Sequence, residues 1–203
     1  MHERKQSMSQ LIKDTDPLAV MEMENGSRVV IELLPDAAPN TVASFVWAAS
    51  RGYLDHHVIE RIVPGSWVDM SYTAFGHREC RFLIPYESKL HPEIEPLDSH
   101  PGCVCMGGYG EAGLASCEFF FPLRDCPEHK GIYPVFGKVA EGMEEIERIG
   151  KVPVRRMKPL APGVELYVPE EPQIVRSITL DLKGWKFPDP VRMKEQKLPK
   201  TWR

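Results

Sequence analysis

Residues 52–72 read GYLDHHVIERIVPGSWVDMSY, and this stretch places an arginine in a row of otherwise apolar side chains. Alternate side chains of an extended chain share a face, so Ile59, Arg61 and Val63 are predicted to point the same way. Burying an unpaired guanidinium is costly. Arg61 is therefore predicted either to form a salt bridge with a nearby carboxylate or to face a pocket where it meets a ligand.

A tight turn follows the arginine strand. Pro64 and Gly65 favour that turn, and residues 67–72 read as the returning strand. Two strands joined in this way can bring residues 61 and 69 side by side, where opposite charges pair. The sequence thus predicts that Asp69 pairs with Arg61, which would hold the arginine in place and also compete for its hydrogen-bond donors.

Length and charge limit the classes of protein to which this chain can belong. The 203 residues fit one domain with extensions, and 25 Lys and Arg against 29 Asp and Glu give no electrostatic footprint for nucleic acid or an anionic membrane. No run is long and apolar enough to span a membrane, and residues 1–16 form a polar extension without the apolar core of a signal peptide. A cytoplasmic location is expected, with neither nucleic acid nor membrane as a partner.

The cysteines give no sign of a disulfide framework or a metal centre. There are five of them, an odd number, and no secretory context accompanies them. Their spacing is not that of a zinc knuckle or ribbon, so buried reduced thiols are favoured over ligands. We expect no metal and no cofactor.

Outside this stretch the pattern is mostly that of short strands. Asn25 and Gly26 predict a hairpin between residues 18–24 and 27–33, and further strands are predicted at 102–106, 118–122, 135–139 and 174–182. One amphipathic helix begins at Pro39, and a shorter one ends at Gly150. Residues 73–100 are predicted to be mostly loop, and residues 151–169 irregular.

This count of about eight strands and two helices favours a mostly β protein. Early hairpins, rather than strict alternation of strand and helix, predict an antiparallel sheet closed into a barrel or packed as a sandwich, with helices at its ends. A basic, Pro-rich segment, residues 183–203, follows the last strand. Its aromatic residues predict a strap packed on the sheet or, as an alternative, a partner-binding arm.

Several motifs in order carry a family resemblance. The segments VIERIVPGSWVD, PGCVCMGGYG, EFFFPL and VFGKVAEGMEEIERI resemble the cyclophilin-type peptidyl-prolyl cis-trans isomerases, with similarity over residues 18–182. The resemblance implies a closed eight-stranded antiparallel barrel with two capping α-helices, spanning residues 17–182. It also implies a shallow groove on the outer wall that binds an X-Pro dipeptide.

The resemblance assigns roles residue by residue. Arg61 matches the catalytic arginine, Phe120 the floor of the proline pocket, and Gly107 a small-residue position of the groove. The remaining groove positions depart from the family pattern, since polar and aromatic residues there differ from the usual ones. These substituted positions are Ser66, Trp67, Asp69, Glu118, His129 and Tyr133.

Three functions are consistent with these residues. The first is a peptidyl-prolyl isomerase of modest activity that acts through Arg61 on proline-containing peptides or unfolded proteins. The second is a cyclophilin-like module that binds a proline-containing peptide or protein with weak or no catalysis, using Trp67 and Phe120 as anchors. The third, an enzyme acting on a small molecule, is the least favoured, and the sequence does not indicate an oligomeric state.

Overall fold

The computed structural model describes residues 14–70, 76–158, 165–195, 198–199 and 202. Twelve β-strands make up most of the fold. Their bounds are β1 Leu18–Met23, β2 Arg28–Leu33, β3 His57–Val58, β4 Arg61–Val63, β5 Trp67–Met70, β6 Leu83–Ile84, β7 Cys103–Gly108, β8 Leu114–Pro122, β9 Val135–Glu141, β10 Val154–Met157, β11 Leu166–Pro169 and β12 Ile174–Asp181.

Three α-helices accompany the strands within the described ranges. They are α1 Pro39–Ala49, α2 Glu87–Leu90 and α3 Met143–Ile149. Helices α1 and α3 are the two that the sequence predicted, whereas the single turn of α2 lies in a segment predicted to be mostly loop. None of the described helices is long and apolar enough to cross a membrane.

Ten of the strands form one antiparallel sheet, in the order β3-β12-β1-β2-β9-β7-β8-β5-β4, with β6 paired to β8 beside this path. Its two edges, β3 and β4, are separated by only two residues of the chain. The sheet therefore curls back towards its own first strand. No hydrogen-bonded ladder joins those two edges among the described residues, so the predicted closed ring of eight strands is not confirmed.

The predicted hairpin around Asn25 is confirmed. Gly26 has a φ of +89°, the left-handed conformation that such a turn requires, and the Ser27 N–H donates to the Asn25 side chain at 2.9 Å. The prediction of an irregular segment at residues 151–169 is wrong in part, because β10 and β11 form a two-stranded sheet there. Most of their residues are exposed or half-buried, so no alternating apolar pattern marked them.

The main core lies between the sheet and helix α1. Every residue of α1 except Pro39 is buried, and Phe45 contacts Phe119 and Phe136 at centroid distances of 5.3 and 5.2 Å. A smaller apolar cluster, which includes Leu34, Cys103, Cys105, Phe120 and Val135, forms separately. This second cluster carries the candidate site described below.

The described part of residues 183–203 contacts helix α1 and strand β6. Val191 exchanges two hydrogen bonds with the Asn40 side chain, at 2.7 and 3.2 Å, and Met193 N–H donates to the Leu83 carbonyl at 2.8 Å. Trp202 is buried, with 2% of its surface exposed. Residues 1–13 of the predicted polar extension lie outside the described residues.

Candidate functional site

A cavity of about 110 Å³ lies where β4, β5, β7 and β8 meet the loop that follows β8. Charged, aromatic and glycine residues line it together. They are Arg61, Trp67, Asp69, Gly107, Gly108, Glu118, Phe120, His129 and Tyr133. The cavity is small and open at the surface, which suits a short segment of extended peptide rather than a large ligand.

Arg61 is held in the cavity by two partners. Antiparallel pairing of β4 and β5 places it directly opposite Asp69, and its Nη1 donates to the Asp69 carboxylate. Its Nε donates to the backbone carbonyl of Glu165 at 2.9 Å. Nη2 makes no hydrogen bond within the described residues. The guanidinium is thus fixed in position while one nitrogen keeps its donors for a ligand.

The ion pair is largely shielded from water. The Arg61 and Asp69 side chains are only 14% and 8% exposed. The Arg61 Cζ also lies 5.9 Å from the centroid of the Trp67 ring, within the range of a cation–π contact. Both predicted environments of Arg61 therefore occur together, because the arginine is salt-bridged and also lines a cavity.

Phe120 forms the apolar part of the cavity. Strand pairing places it opposite Asp69 on one side and Cys105 on the other. Its ring contacts Trp67, His129 and Tyr133 at centroid distances of 6.1, 5.5 and 5.6 Å. An aromatic surface beside a fixed cation is an arrangement that can hold an apolar ring and a polar amide at once.

His129 lines the cavity as a buried imidazole. The residue is 6% exposed, and its Nδ1 is buried without a hydrogen bond to the described residues. Burial lowers the pKa of His129, Glu128 opposes that shift, and the Arg124 charge adds to it. Its ring packs edge-on against Tyr133 at 4.8 Å. His129 is therefore packed among aromatic rings, and its burial disfavours the charged form.

Glu118 forms another part of the cavity wall. Its carboxylate accepts a hydrogen bond from the Tyr109 hydroxyl at 2.6 Å. Gly107 faces it across the neighbouring strand, where a Cβ would lie 3.0 Å from the Glu118 carbonyl and 3.2 Å from its Cγ. A side chain at Gly107 would displace Glu118, so the glycine keeps this wall open.

The structure brings eight of the nine predicted site residues into the one cavity. Ser66 is the exception, because it lies in the turn before β5, where its N–H donates to Val63 and its carbonyl accepts from Leu123. Gly108 and the Glu165 carbonyl were not among the predicted site residues. The run of two glycines at 107 and 108 could have indicated Gly108, whereas Glu165 precedes a strand whose pattern gave no signal. Substrate binding by these residues stays a prediction.

Three possible metal ligands lie beside the cavity. Donor atoms of Cys126, Glu128 and His129 are within 4.8 Å of one another. The Arg124 guanidinium, however, donates to the Glu128 carboxylate at 2.6 Å, and this hydrogen bond lowers the pKa of Glu128. A cation at this place would have to displace another cation, so the arrangement as it stands does not favour a metal centre.

Relatives by sequence are peptidyl-prolyl isomerases. Residues 18–168 match the family model described as cyclophilin type peptidyl-prolyl cis-trans isomerase/CLD. Peptidyl-prolyl cis-trans isomerase B of Bacillus subtilis is 31% identical over 60% of this chain and 82% of its own length. Peptidyl-prolyl cis-trans isomerase-like 1 of Gibberella zeae is 32% identical over 66% of this chain and 81% of its own length.

Solved structures show the same fold. A cyclophilin type peptidyl-prolyl cis-trans isomerase of Cryptosporidium parvum, crystallised in the presence of the dipeptide Ala-Pro, aligns with a TM-score of 0.63 at 16% identity, over 81% of this chain and 98% of its own. A cyclophilin from Hirschia baltica aligns with a TM-score of 0.60 at 16% identity, over 88% of this chain and 81% of its own. With the match to the family model over residues 18–168, the chain belongs to the cyclophilin-type peptidyl-prolyl cis-trans isomerase family.

Proposed function

We propose that this chain isomerises X-Pro peptide bonds in the cavity around Arg61, with modest activity. One observation carries the proposal: the arginine and Phe120 line the same cavity. The prolyl ring would lie against Phe120, and the guanidinium would donate towards the proline nitrogen. The solved relative crystallised in the presence of Ala-Pro supports a small proline-containing ligand for this fold.

Isomerisation of a prolyl peptide bond requires a correctly placed charge and no covalent step. Resonance gives the amide a barrier of about 18–20 kcal/mol, and isomerisation without help takes tens of seconds or longer. A donor aimed at the proline nitrogen withdraws its lone pair from that resonance in the twisted state, so the barrier falls. Acceleration of about ten-thousandfold corresponds to about 5.5 kcal/mol. A fixed guanidinium with positioning can supply an effect of that size.

The expected modest activity follows from the hydrogen bonds that Arg61 already makes within the protein. Asp69 and the Glu165 carbonyl engage two of its three nitrogens. A carboxylate bonded to the guanidinium shares its positive charge, so less of that charge acts on an incoming proline nitrogen. The same pair favours the second candidate function, a module that binds proline-containing peptides or proteins with little catalysis.

Exchange NMR on a short peptide with one Ala-Pro bond tests the proposal. The wild-type protein should speed cis–trans exchange, and Arg61→Ala should lower that rate constant about 100-fold. Exchange at the wild-type rate in the variant would contradict the role of Arg61. Peptide binding without any acceleration by the wild-type protein would favour the binding module.

Two further variants separate mechanism from folding. Arg61→Ala leaves the buried Asp69 carboxylate without its cation, which should also lower the free energy of unfolding by about 1–3 kcal/mol. Arg61→Lys keeps a positive charge for Asp69 but loses the planar fork, so it should lose activity and retain more stability. Arg176→Ala, which removes an exposed arginine bonded to the Glu24 carbonyl, should change neither.

The setting in which this activity is used stays a prediction. All five cysteines are buried and free, which supports the expected reducing, cytoplasmic compartment. Unfolded proteins with exposed X-Pro bonds are the proposed clients.

A further inference from the structure

A line of hydrogen bonds joins the C-terminal segment, residues 183–203, to the wall of the cavity. The indole Nε1 of Trp202 donates to the Tyr109 hydroxyl oxygen at 2.9 Å. That hydroxyl donates in turn to the Glu118 carboxylate at 2.6 Å. Trp202 thus reaches a cavity-lining residue through one intermediate, although 84 positions separate it from Glu118 in the sequence.

Trp202 is fixed where it makes this contact. It is 2% exposed, belongs to the main core and packs edge-on against Tyr109, with centroids 5.3 Å apart and planes at 89°. The Tyr109 ring is therefore held both by packing and by the indole N–H. Tyr109 follows directly on β7, in the short connection to β8, so it has few partners of its own strand to fix its ring.

The donor-to-acceptor direction of these two hydrogen bonds has a consequence for Glu118. Accepting a hydrogen bond from the indole polarises the tyrosine hydroxyl and strengthens the bond that it donates to the carboxylate. Gly107, on the facing strand, has no side chain and so leaves the space beside the Glu118 side chain open. Tyr109 is thus one partner that positions Glu118, and Trp202 is one partner that positions Tyr109.

We propose that Trp202 is a positioning residue of the substrate groove, acting through Tyr109 to hold Glu118 against the bound peptide. The inference rests on the proposed isomerase site and extends it to the C-terminal segment. The C-terminal segment is then a part of the site. Of the two roles predicted for it from the sequence, this favours a strap packed on the sheet over a partner-binding arm. Losing the line of bonds weakens peptide binding and leaves the Arg61 chemistry intact.

The test separates KM from kcat in the isomerase assay. Trp202→Phe keeps a ring but removes the indole donor, and Tyr109→Phe removes the bridging hydroxyl. One neutral hydrogen bond is worth about 0.5–1.5 kcal/mol, so Trp202→Phe should raise KM about two- to tenfold with kcat within twofold. Tyr109→Phe also removes a bond to a charged group, so it should raise KM at least as much, again with kcat within twofold. The double variant should raise KM no further than Tyr109→Phe alone, because both substitutions interrupt the same pair of linked hydrogen bonds.

Trp185→Phe is the matched control. Trp185 lies in the same segment and packs with Phe187, at a centroid distance of 6.1 Å, but it does not line the cavity. It should leave KM unchanged. Equal KM values for Trp202→Phe and the wild-type protein would overturn the proposal, and so would an equal rise in Trp185→Phe, since that would indicate a general loosening of the segment.

A readout without catalysis distinguishes this inference from the proposed function. The ¹³C chemical shift of the Glu118 carboxyl at neutral pH should differ between Trp202→Phe and the wild-type protein, because the tyrosine donates less strongly to the carboxylate. If the wild-type protein fails to isomerise the peptide, the proposed function fails while this test still applies. An unchanged chemical shift of the Glu118 carboxyl in Trp202→Phe would overturn the inference in either case.

Discussion

Strand β8 presents two faces that are built in different ways. On one face Phe119 and Phe121 are 0% and 1% exposed and belong to the main core. On the other face Glu118 and Phe120 line the cavity. The core face is complete once apolar side chains pack together. The cavity face also needs a partner for each polar group, and those partners come from distant parts of the chain.

Substituting successive phenylalanines on these two faces should give the largest effects. Phe119→Ala opens a space among Phe45, Phe121 and Phe136 and should lower the free energy of unfolding by about 3–5 kcal/mol. Phe120→Ala enlarges a cavity that is already open, so it should lower the free energy of unfolding by about half as much as Phe119→Ala does. Urea unfolding of both variants measures the difference.

The peptide assay should reverse that order. Phe120→Ala should abolish measurable binding of the Ala-Pro peptide, whereas Phe119→Ala should bind it as long as the variant stays folded. Equal destabilisation together with equal loss of binding would break the comparison, because the two faces would then not be separate.

A buried histidine in strand β3 should make stability depend on pH. His57 is 1% exposed, and neither ring nitrogen makes a hydrogen bond to the described residues. Burial lowers its pKa from 6.5 to about 4. Between these values the unfolded chain binds a proton that the folded chain does not, so the free energy of unfolding falls as pH falls. The loss should be on the order of 3 kcal/mol by pH 4.

His57→Leu should flatten this dependence, because leucine does not titrate. Urea unfolding at several pH values between 7 and 4 measures the slope. His56→Asn is the matched control, since His56 is an exposed neighbour with a φ of +54° that asparagine tolerates. A slope in His57→Leu as steep as in the wild-type protein would show that other groups cause the acid sensitivity.

Most of the sheet could be predicted from the sequence because its signals are local. The Asn25-Gly26 turn and the apolar stripe of α1 each act within a few residues. The hairpin of β10 and β11 has largely exposed strands and lacks such a pattern, so neither it nor the Glu165 carbonyl beside it could be predicted from the sequence. The closed ring of eight strands was implied by the family resemblance alone, and it is not confirmed, because no ladder joins β3 to β4 among the described residues.

The cavity was predicted through the family resemblance more than through periodicity. Alternation alone places Arg61 and Asp69 opposite each other across a turn, and the structure shows that ion pair. It does not indicate that Tyr109 and Trp202 hold Glu118, because those contacts join residues far apart in the sequence. Long-range partners of polar groups are the part of the site that needed the structure.

The smallest expected effect tests the account most directly, because it concerns how Arg61 is shared between Asp69 and a substrate. Asp69→Gln removes the competing charge while keeping a side-chain oxygen near the guanidinium, and Asp69→Asn does so without added length. Both should raise the exchange rate constant of a saturating Ala-Pro peptide about three- to tenfold, which is up to about 1.4 kcal/mol. Exchange NMR on the wild-type protein and the two variants measures it. A rise in both variants is the result we predict, and a fall in both would contradict the account, since the carboxylate would then act in the substrate site rather than compete for its arginine.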